Sequence, residues 1–586
     1  MPGLTQAAVP HPDVLLPEPR LSLDLGSPNT HLVHSRLEFR PPQPRLVLRL
    51  PAWTPGSYLI RDYVSRLEGL EAFQNGRPVP LERLEVACWE ADLADDAPVE
   101  VRWRILAVEP SVRTCELTGD HGFLALAGVA LLVEGLRWQP HHLTLTLPPA
   151  WQAFVPLPEG PEGSWRAPDY DALIDTPIEA GPHPSHAFAV AGVPHRWVSH
   201  GDDLPVRDPA WLSDVERVCL ACCRLMGEPA PAASSYLFIQ HLLEQGYGGL
   251  EHDRSSVLVY GRAALERPEG RRKLLQLVAH EYLHQWNVRR LRPAPLTPIA
   301  YDRPTIVPTL WFAEGVTSYV DQFLPHAAGL SSESELLEDL GAELSRYRLT
   351  PGRRVQSLRL SSQEAWVKLY RSDAHSADNQ VSYYLKGAVL ALVLDLHLRR
   401  HGSWLGAVLQ RLWRSHGRFR RGYSEADLLQ AFAQDAPDLE ERLPGWLSSV
   451  EDPDLETYLE DVGLRLEAEP ASQADAGWQL DTSPAGNSLT IRRVRRDGPA
   501  EAAGLQVGDE LLAQDGCRLR RPDDLRLPPS AAEAEPFELL FCRDGRIRTT
   551  QLRPNPPAME RWRLLAVPDA AAATLERRRR WMELQP

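Results

Sequence analysis

Two histidines and a glutamate in one five-residue segment are the residues of this sequence best suited to metal chemistry. His280 and His284 stand four positions apart in the segment HEYLH, so on a helix they lie on one face, about one turn apart. Neutral imidazoles placed in this way can bind one Zn²⁺ ion. Glu281 follows the first histidine, and its carboxylate could take a proton from a water molecule. The segment predicts a zinc-dependent peptidase, and a surface helix that carries two histidines is the alternative.

A catalytic zinc ion also needs a third protein ligand and one open position. The residues after the motif, QWNVRR, lack the downstream glycine and histidine of the metzincin pattern, which excludes a third histidine in that register. Glu314 is the next candidate, because it stands among apolar residues in TLWFAEGVTSY, where a carboxylate is costly to bury unless it is paired. Asp321 follows two helical turns later on the same face and could hydrogen-bond a ligand histidine. A surface aspartate near the end of the helix is the alternative.

The elements that must position these residues change in type twice along the chain. Up to residue 195, short runs of alternating apolar and polar residues between Pro and Gly turns predict a β domain. From 196 to 458 helical spacing of apolar residues dominates, and after 459 short strands return until residue 553. The remaining segment, 554–586, is predicted to form a tail. The predicted helices of the middle region are 211–226, 271–287, 309–324, 383–400, 404–416 and 424–433.

Length and charge limit the possible functions of the chain. A length of 586 residues indicates several domains. The net charge of −16 argues against nucleic acid and against anionic membrane surfaces as partners. No apolar run is long enough for a transmembrane helix, and the first residues, MPGLTQAAVPHPDVLLPEP, lack the features of a secretory signal. We therefore expect a cytoplasmic protein.

Five segments, in this order along the chain, resemble the glycyl aminopeptidase family of gluzincin metallopeptidases. They are PAWTPGSYLIRD, GYGGLEH, HEYLHQWNVRRLRP, LWFAEGVTSY and SYYLKG. The resemblance covers essentially the whole chain and implies a multi-domain α+β fold: an N-terminal β domain (1–195), a thermolysin-like, mostly helical catalytic domain (196–458) and a C-terminal PDZ-like β domain (459–553). It also implies one Zn²⁺ per chain, bound by His280, His284 and Glu314.

The resemblance assigns roles to four further residues. GGLEH is similar to the GxMEN-type exopeptidase motif of the wider aminopeptidase N group, which implies that Glu251 binds the free α-amine of the substrate. A carboxylate that faces an ammonium group in a desolvated pocket selects for a free N-terminus. Gly248 and Gly249 would let the substrate backbone approach closely, with a bulge or turn as the alternative. Tyr384 matches the tyrosine of the YxKG segment that stabilises the oxyanion.

Together these residues predict an aminopeptidase whose partners are peptides with a free N-terminus, and the family resemblance implies small first residues, Gly and Ala. The PDZ-like segment 497–516 could bind an extended peptide. Its expected carboxylate loop at 482–489, TSPAGNSL, differs from the GLGF type, which leaves a structural or regulatory role as the alternative. Two other functions stay open: a zinc endopeptidase whose PDZ-like domain recruits protein tails, and a non-catalytic PDZ-bearing binding protein.

Overall fold

A computed structural model describes residues 17–483, 486–529 and 535–586 of the chain. The first sixteen residues of the predicted N-terminal domain lie outside these ranges, and so do two positions of the predicted carboxylate loop, 484 and 485.

The N-terminal region is built mainly of strands, as the alternating pattern predicts. In the segment 99–106, Val99, Val101, Trp103 and Ile105 are buried and the residues between them are not, so one face of the strand packs on the core. The strands are β1 (Arg20–Asp24), β2 (Leu32–Phe39), β3 (Arg45–Arg49), β4 (Leu67–Gln74), β5 (Arg77–Val79), β6 (Glu82–Glu85), β7 (Cys88–Asp92), β8 (Val99–Leu106), β9 (Glu116–Leu117), β10 (Gly122–Ala125), β11 (Leu132–Val133), β12 (His141–Thr146), β13 (Gln152–Phe154), β14 (Ser164–Ala167) and β15 (Pro177–Gly181), with helix α1 (Tyr170–Ile174) before β15. They form sheets of order β14-β12-β1-β2-β8-β4-β5, β13-β15-β10-β9 and β11-β3-β7-β6.

The middle region places a five-stranded sheet beside a set of helices. The sheet has the order β16-β17-β18-β20-β19, with parallel pairs in its centre and antiparallel pairs at both edges. Its strands are β16 (Ser185–Val190), β17 (Val193–His200), β18 (Tyr236–Leu243), β19 (Tyr247–Glu251) and β20 (Ser255–Gly261). The helices are α2 (Trp211–Leu225), α3 (Arg262–Leu265), α4 (Gly270–Leu283), α5 (Val316–Ala327), α6 (Glu333–Arg348), α7 (Leu358–Gln363), α8 (Ser376–Asn379), α9 (Tyr383–Arg400), α10 (Leu405–Ser415), α11 (Glu425–Ala433), α12 (Leu439–Ser448) and α13 (Leu455–Glu460).

The predicted helices are found, and the largest differences in their bounds are at α4 and α5. Helix α9 has the predicted limits, whereas α4 ends at Leu283, before the predicted residue 287. Beyond it the chain continues in wider turns, in which the amide of Arg289 bonds to the carbonyl of His284 at 2.9 Å. The predicted helix 309–324 begins as a π-helical turn, Trp311–Gly315, and continues as α5. Within the described ranges, no helix is both long enough and apolar enough to cross a membrane.

The C-terminal region contains a small sheet with an apolar core of its own. The strands are β21 (Leu464–Pro470), β22 (Trp478–Thr482), β23 (Leu489–Val494), β24 (Glu510–Gln514), β25 (Cys517–Arg518), β26 (Phe537–Arg543), β27 (Arg546–Leu552) and β28 (Met559–Ala566), with helices α14 (Pro499–Ala502) and α15 (Ala572–Met582). Strands β22 to β27 form one sheet, whose buried residues make a separate core that includes Leu489, Leu511 and Leu539. Within the PDZ-like segment 497–516, the short helix α14 is followed by a turn and then by β24.

The last residues differ from the predicted tail, because they pack on the middle region. Strand β28 pairs with β21 and packs against α6, and α15 follows it. The Trp581 side chain is fully buried, and its Nε1 donates a hydrogen bond of 2.8 Å to the hydroxyl of Tyr319 in α5. Burial of this tryptophan attaches the C-terminal helix to the catalytic region.

Candidate active site

The HEYLH segment lines a cavity of about 700 Å³, to which β19, α4, α5 and α9 each contribute. All the site residues that the sequence predicts lie on this cavity, and Gly56, Arg113 and Tyr370 are among its other lining residues. The predicted residues are Gly248, Gly249, Glu251, His280, Glu281, His284, Glu314, Asp321 and Tyr384.

The two histidines and Glu314 point their ligand atoms at one another. His284 Nε2 lies 3.2 Å from Glu314 Oε2, and His280 Nε2 lies 3.7 Å from the same oxygen. Ligands about 2.0–2.2 Å from a tetrahedral zinc ion are about 3.3–3.5 Å apart, so this donor set fits Zn²⁺. Burial opposes the charged form of Glu314, but the two histidines outweigh it and lower the pKa of the carboxyl to about 2. Glu314 is therefore an ionised, buried carboxylate suited to bind a cation.

Each ligand histidine is oriented by a hydrogen bond at its other ring nitrogen. His280 Nδ1 lies 2.8 Å from Asp321 Oδ2, and His284 Nδ1 lies 2.6 Å from the carbonyl oxygen of Asn287. Such bonds fix the tautomer that leaves Nε2 free to bind a metal ion. The structure therefore places Asp321 where the sequence suggests a supporting residue.

The side chain of Glu281 lies between helix α4 and strand β19. It is buried, and its Oε2 has no hydrogen-bond partner among the described residues. A Cβ atom at Gly249 would lie only 2.2 Å from Glu281 Oε1, so the carboxylate can occupy this place only because residue 249 is a glycine. Burial raises the pKa of Glu281 to about 7, which is a useful value for a general base.

Glu251, the last residue of β19, places a second buried carboxylate in the cavity. Its Oε1 has no partner among the described residues, and ligand atoms of Glu251, Glu281 and His284 lie within 4.8 Å of one another. From the other side, a Cβ atom at Gly56 would come within 2.6 Å of Glu251 Oε2. An unpaired buried carboxylate is costly, so this group is suited to bind a cationic part of a substrate.

Tyr384 lies in the first turn of α9, where Ser382 caps the helix by accepting a hydrogen bond from the amide of Tyr384. Its ring is 6.4 Å from that of His280, and its hydroxyl is 3.2 Å from the hydroxyl of Tyr370. Burial raises the pKa of Tyr384 well above its usual value. The hydroxyl therefore keeps its proton and can donate it in a hydrogen bond.

Three further residues that line the cavity and lie against predicted site residues were missed by the sequence analysis. Arg113 donates from Nη2 to the carbonyl oxygen of Gly249 at 3.3 Å, and Tyr370 contacts Tyr384. Arg113 lies in a turn and Tyr370 in the short 3₁₀ helix Leu369–Arg371, where no periodic pattern or motif marks them. Gly56 belongs to the segment PAWTPGSYLIRD, so the family resemblance was a signal for it, although it gave the residue no role.

Two family models match separate parts of the chain. The Peptidase M61 N-terminal domain matches residues 20–182, and the M61 glycyl aminopeptidase domain matches residues 273–390. The second range contains the HEYLH segment, Glu314 and Tyr384. No curated protein sequence matches the chain.

Two solved structures resemble the chain to different degrees, as their TM-scores and coverages show. An aminopeptidase N family protein from Idiomarina loihiensis shares 28% identity and a TM-score of 0.88, over 95% of this chain and 99% of that one. An M1 zinc metallopeptidase from Deinococcus radiodurans shares 15% identity and a TM-score of 0.47, over 75% of this chain and 95% of that one. The second similarity is too weak to bear on function.

Proposed function

Given that the chain is a metallo-aminopeptidase of the M61 glycyl aminopeptidase family, we propose that it uses one Zn²⁺ ion to release single N-terminal residues from peptides. The observation that carries this proposal is the buried carboxylate of Glu251, with an unpartnered oxygen, beside the carboxylate of Glu281. An N-terminal ammonium group is a substrate part that would pair with it. The anchor then holds the first peptide bond next to the general base.

His280, His284 and Glu314 would hold the zinc ion, and their buried donor set fits it. When bound, zinc supplies Lewis-acid chemistry: it polarises the scissile carbonyl group and lowers the pKa of a water molecule. Glu281 takes the proton of the attacking water at its unpartnered Oε2. The same carboxyl group then delivers that proton to the leaving amine.

Other residues of the cavity position the substrate and stabilise the negative charge that develops on its carbonyl oxygen. The Tyr384 hydroxyl donates a hydrogen bond to the oxyanion that forms from the scissile carbonyl. Glu251 accepts hydrogen bonds from the α-ammonium group, so each cut releases one residue. The backbone of Gly56 lies against Glu251, because a Cβ atom there would come within 2.6 Å of Glu251 Oε2. The proposed preference for small first residues, Gly and Ala, rests on the family resemblance.

The C-terminal sheet is proposed to be a PDZ-like domain within residues 459–553. Its separate core, its short helix α14 and its strand order support this assignment. Arg493 of this domain forms an ion pair of 2.7 Å with Asp378. This contact is consistent with a domain that binds a peptide ligand and with one that has a structural role against the catalytic region. The cytoplasmic location remains a prediction from charge and from the N-terminal sequence.

Blocked and free substrates test the proposed exopeptidase activity. We expect the chain to cleave Ala-Ala-Phe with a free N-terminus and to leave the N-acetylated peptide intact. Glu251→Gln should lower kcat/KM for the free peptide by about 10- to 100-fold, because a hydrogen bond to a charged group contributes about 1.5–3 kcal/mol. Efficient cleavage of the acetylated peptide by the wild type would instead support the endopeptidase.

Two controls make this test specific. Glu281→Gln, which keeps the zinc ligands, should lose activity on the free peptide, and residual cleavage of either peptide would reveal a contaminating peptidase. A panel of aminoacyl p-nitroanilides with Gly, Ala, Leu and Phe then measures the preference for the first residue. Equal kcat/KM values for Ala and Phe would contradict the small-residue preference and leave the exopeptidase activity standing.

A further inference from the structure

The active-site cavity extends beyond the residues of the proposed mechanism, on the side away from Glu251. Ligand atoms of Glu251, Glu281 and His284 lie within 4.8 Å of one another, so Glu251 lies at the His284 end of the site. The cavity continues from there toward the start of α4, where Tyr247 and Leu277 line it. The proposed mechanism assigns no ligand to this second part of the cavity.

Strand β19 gives the site an order along its length. Glu251 ends the strand, Gly249 in its middle lies against Glu281, and Tyr247 begins it. Alternate residues of a strand point to the same face, and the pairing of β19 with β20 is regular over all five residues. The side chain of Tyr247 therefore lies on the same face as that of Glu251, about 13 Å away along the strand.

Tyr247 presents an aromatic ring to the cavity. The residue is 68% exposed, whereas the catalytic carboxylates of the same cavity are buried. Among the exposed large apolar residues of the described ranges, only Tyr247 lines this cavity. A tyrosine ring offers a large apolar surface that an apolar group of a ligand can cover.

A fixed neighbour supports this ring from the side of the sheet. Tyr260 lies directly opposite Tyr247 on β20, and the two ring centroids are 5.8 Å apart. Tyr260 is buried, and its hydroxyl donates a hydrogen bond of 3.1 Å to the carbonyl oxygen of Gly270, the first residue of α4. The aromatic pair thus joins the start of β19 to the start of α4.

Helix α4 supplies a second apolar group in this part of the cavity. Leu277 precedes His280 by three residues and His284 by seven, so it lies on the face of α4 that carries the proposed zinc ligands. It stands about 4.5 Å from His280 along the helix axis, in the direction of Gly270. Strand spacing and helix spacing therefore place Tyr247 and Leu277 on the same side of the catalytic groups.

We propose that Tyr247 selects the residue that follows the scissile bond and favours an aromatic or other large apolar side chain there. This inference rests on the proposed aminopeptidase function. With the α-amine at Glu251 and the attacked bond beside Glu281, the rest of the peptide runs toward Tyr247. Two strand residues, about 6.6 Å, separate Gly249 from Tyr247, which is within reach of the second side chain of the peptide.

The chemistry of the two apolar residues supports an aromatic side chain in particular. Its ring would cover the exposed ring of Tyr247 and contact Leu277. Aromatic pairs of suitable geometry are more stable than the apolar area that they bury would suggest. The alternative is a tyrosine at the edge of the cavity that does not contact the substrate.

Two tripeptides that differ only in their second residue decide between these alternatives. The zinc-loaded full chain is assayed on Ala-Phe-Gly and Ala-Gly-Gly, and the initial rate of release of free alanine gives kcat/KM for each peptide. We expect the wild type to prefer Ala-Phe-Gly by about 10-fold or more, as apolar pockets do. Tyr247→Ala should lower kcat/KM for Ala-Phe-Gly by about 10-fold and leave that for Ala-Gly-Gly unchanged.

Two matched variants control this comparison. Tyr247→Phe keeps the ring and should keep the wild-type ratio of the two kcat/KM values. Phe419→Ala removes an exposed aromatic side chain that does not line the cavity, and it should change neither value. Because the readout is a ratio of two substrates on one preparation, a partly unfolded variant does not imitate the expected result.

Equal kcat/KM values of the wild type for the two peptides would overturn the inference. A wild-type ratio in Tyr247→Ala would also overturn it, because an equal loss on both peptides indicates only a role in the conformation of β19. In both cases the release of alanine would still support the proposed function. If the wild type cleaves neither peptide, the proposed function fails, and the inference fails with it.

Discussion

Replacement of Gly249 by alanine would put a methyl group where the carboxylate of Glu281 now lies. The added Cβ would be 2.2 Å from Oε1 and 2.3 Å from Cδ of that side chain. Non-bonded heavy atoms are at their optimum about 3.5–4.0 Å apart, so the carboxylate must move by more than about 1 Å. A misplacement of about 1 Å can cost about 100-fold, and a general base contributes about 10²- to 10⁴-fold. We therefore expect kcat to fall by about 10²- to 10³-fold, or about 2.7–4 kcal/mol in the barrier.

Steady-state kinetics and zinc content, measured on one preparation, test this expectation. The nearest atoms to the new Cβ belong to Glu281 and not to the zinc ligands, so Gly249→Ala should keep its zinc. Gly445→Ala is the matched control, because Gly445 is exposed in α12 and its Cβ would meet no atom within 4 Å. The control should have wild-type kcat and a stability higher by about 0.5–1 kcal/mol. A wild-type kcat in Gly249→Ala would refute the assignment of Glu281, in this position, as the base.

Three further substitutions test other parts of the structure. Tyr384→Phe should lower kcat by about 10²- to 10³-fold with little change in KM, because the variant loses one hydrogen-bond donor to the oxyanion. An unchanged kcat in steady-state assays would contradict the role of Tyr384 as this donor. Asp321→Asn should weaken zinc binding by about 10- to 100-fold, because it alters the hydrogen-bond partner of His280. Competition with a chelator measures the zinc affinity, and a wild-type affinity in the variant would count against the role of Asp321. Trp581→Ala should lower the free energy of unfolding by about 3–5 kcal/mol, since the buried indole is lost together with its hydrogen bond to Tyr319. Urea unfolding measures this change, and a loss below about 1 kcal/mol would show that α15 contributes little to stability.

Features that depend on neighbouring residues could be predicted from the sequence. The limits of α9 follow from an unbroken apolar period that begins after the capping Ser382. The alternation in β8 and the spacing of the two histidines in HEYLH are local patterns of the same kind. Glu314 could be proposed because it is a carboxylate among apolar residues, and Asp321 because it follows two helical turns later on the same face.

Features that depend on tertiary packing could not be predicted. Tyr370 lies close to Tyr384 although 14 positions separate them in the sequence, which is too far for a local pattern to indicate. Glu179 forms hydrogen bonds with residues as far apart as His121 and His241, and no local spacing connects them. The helix α15 was missed because its centre is a run of five charged residues, 576–580, and Trp581 packs against Phe323 of α5, which no local pattern shows.

The proposed selection of a free N-terminus would depend on two regions of the chain and not on the catalytic region alone. Strand β19 supplies Glu251, but Gly56 and Arg113, which contact Glu251 and Gly249, come from the N-terminal region. A shift of that region would open the space around the proposed amine anchor and leave the proposed zinc ligands in place. Hydrolysis and exopeptidase selectivity would thus be separable properties.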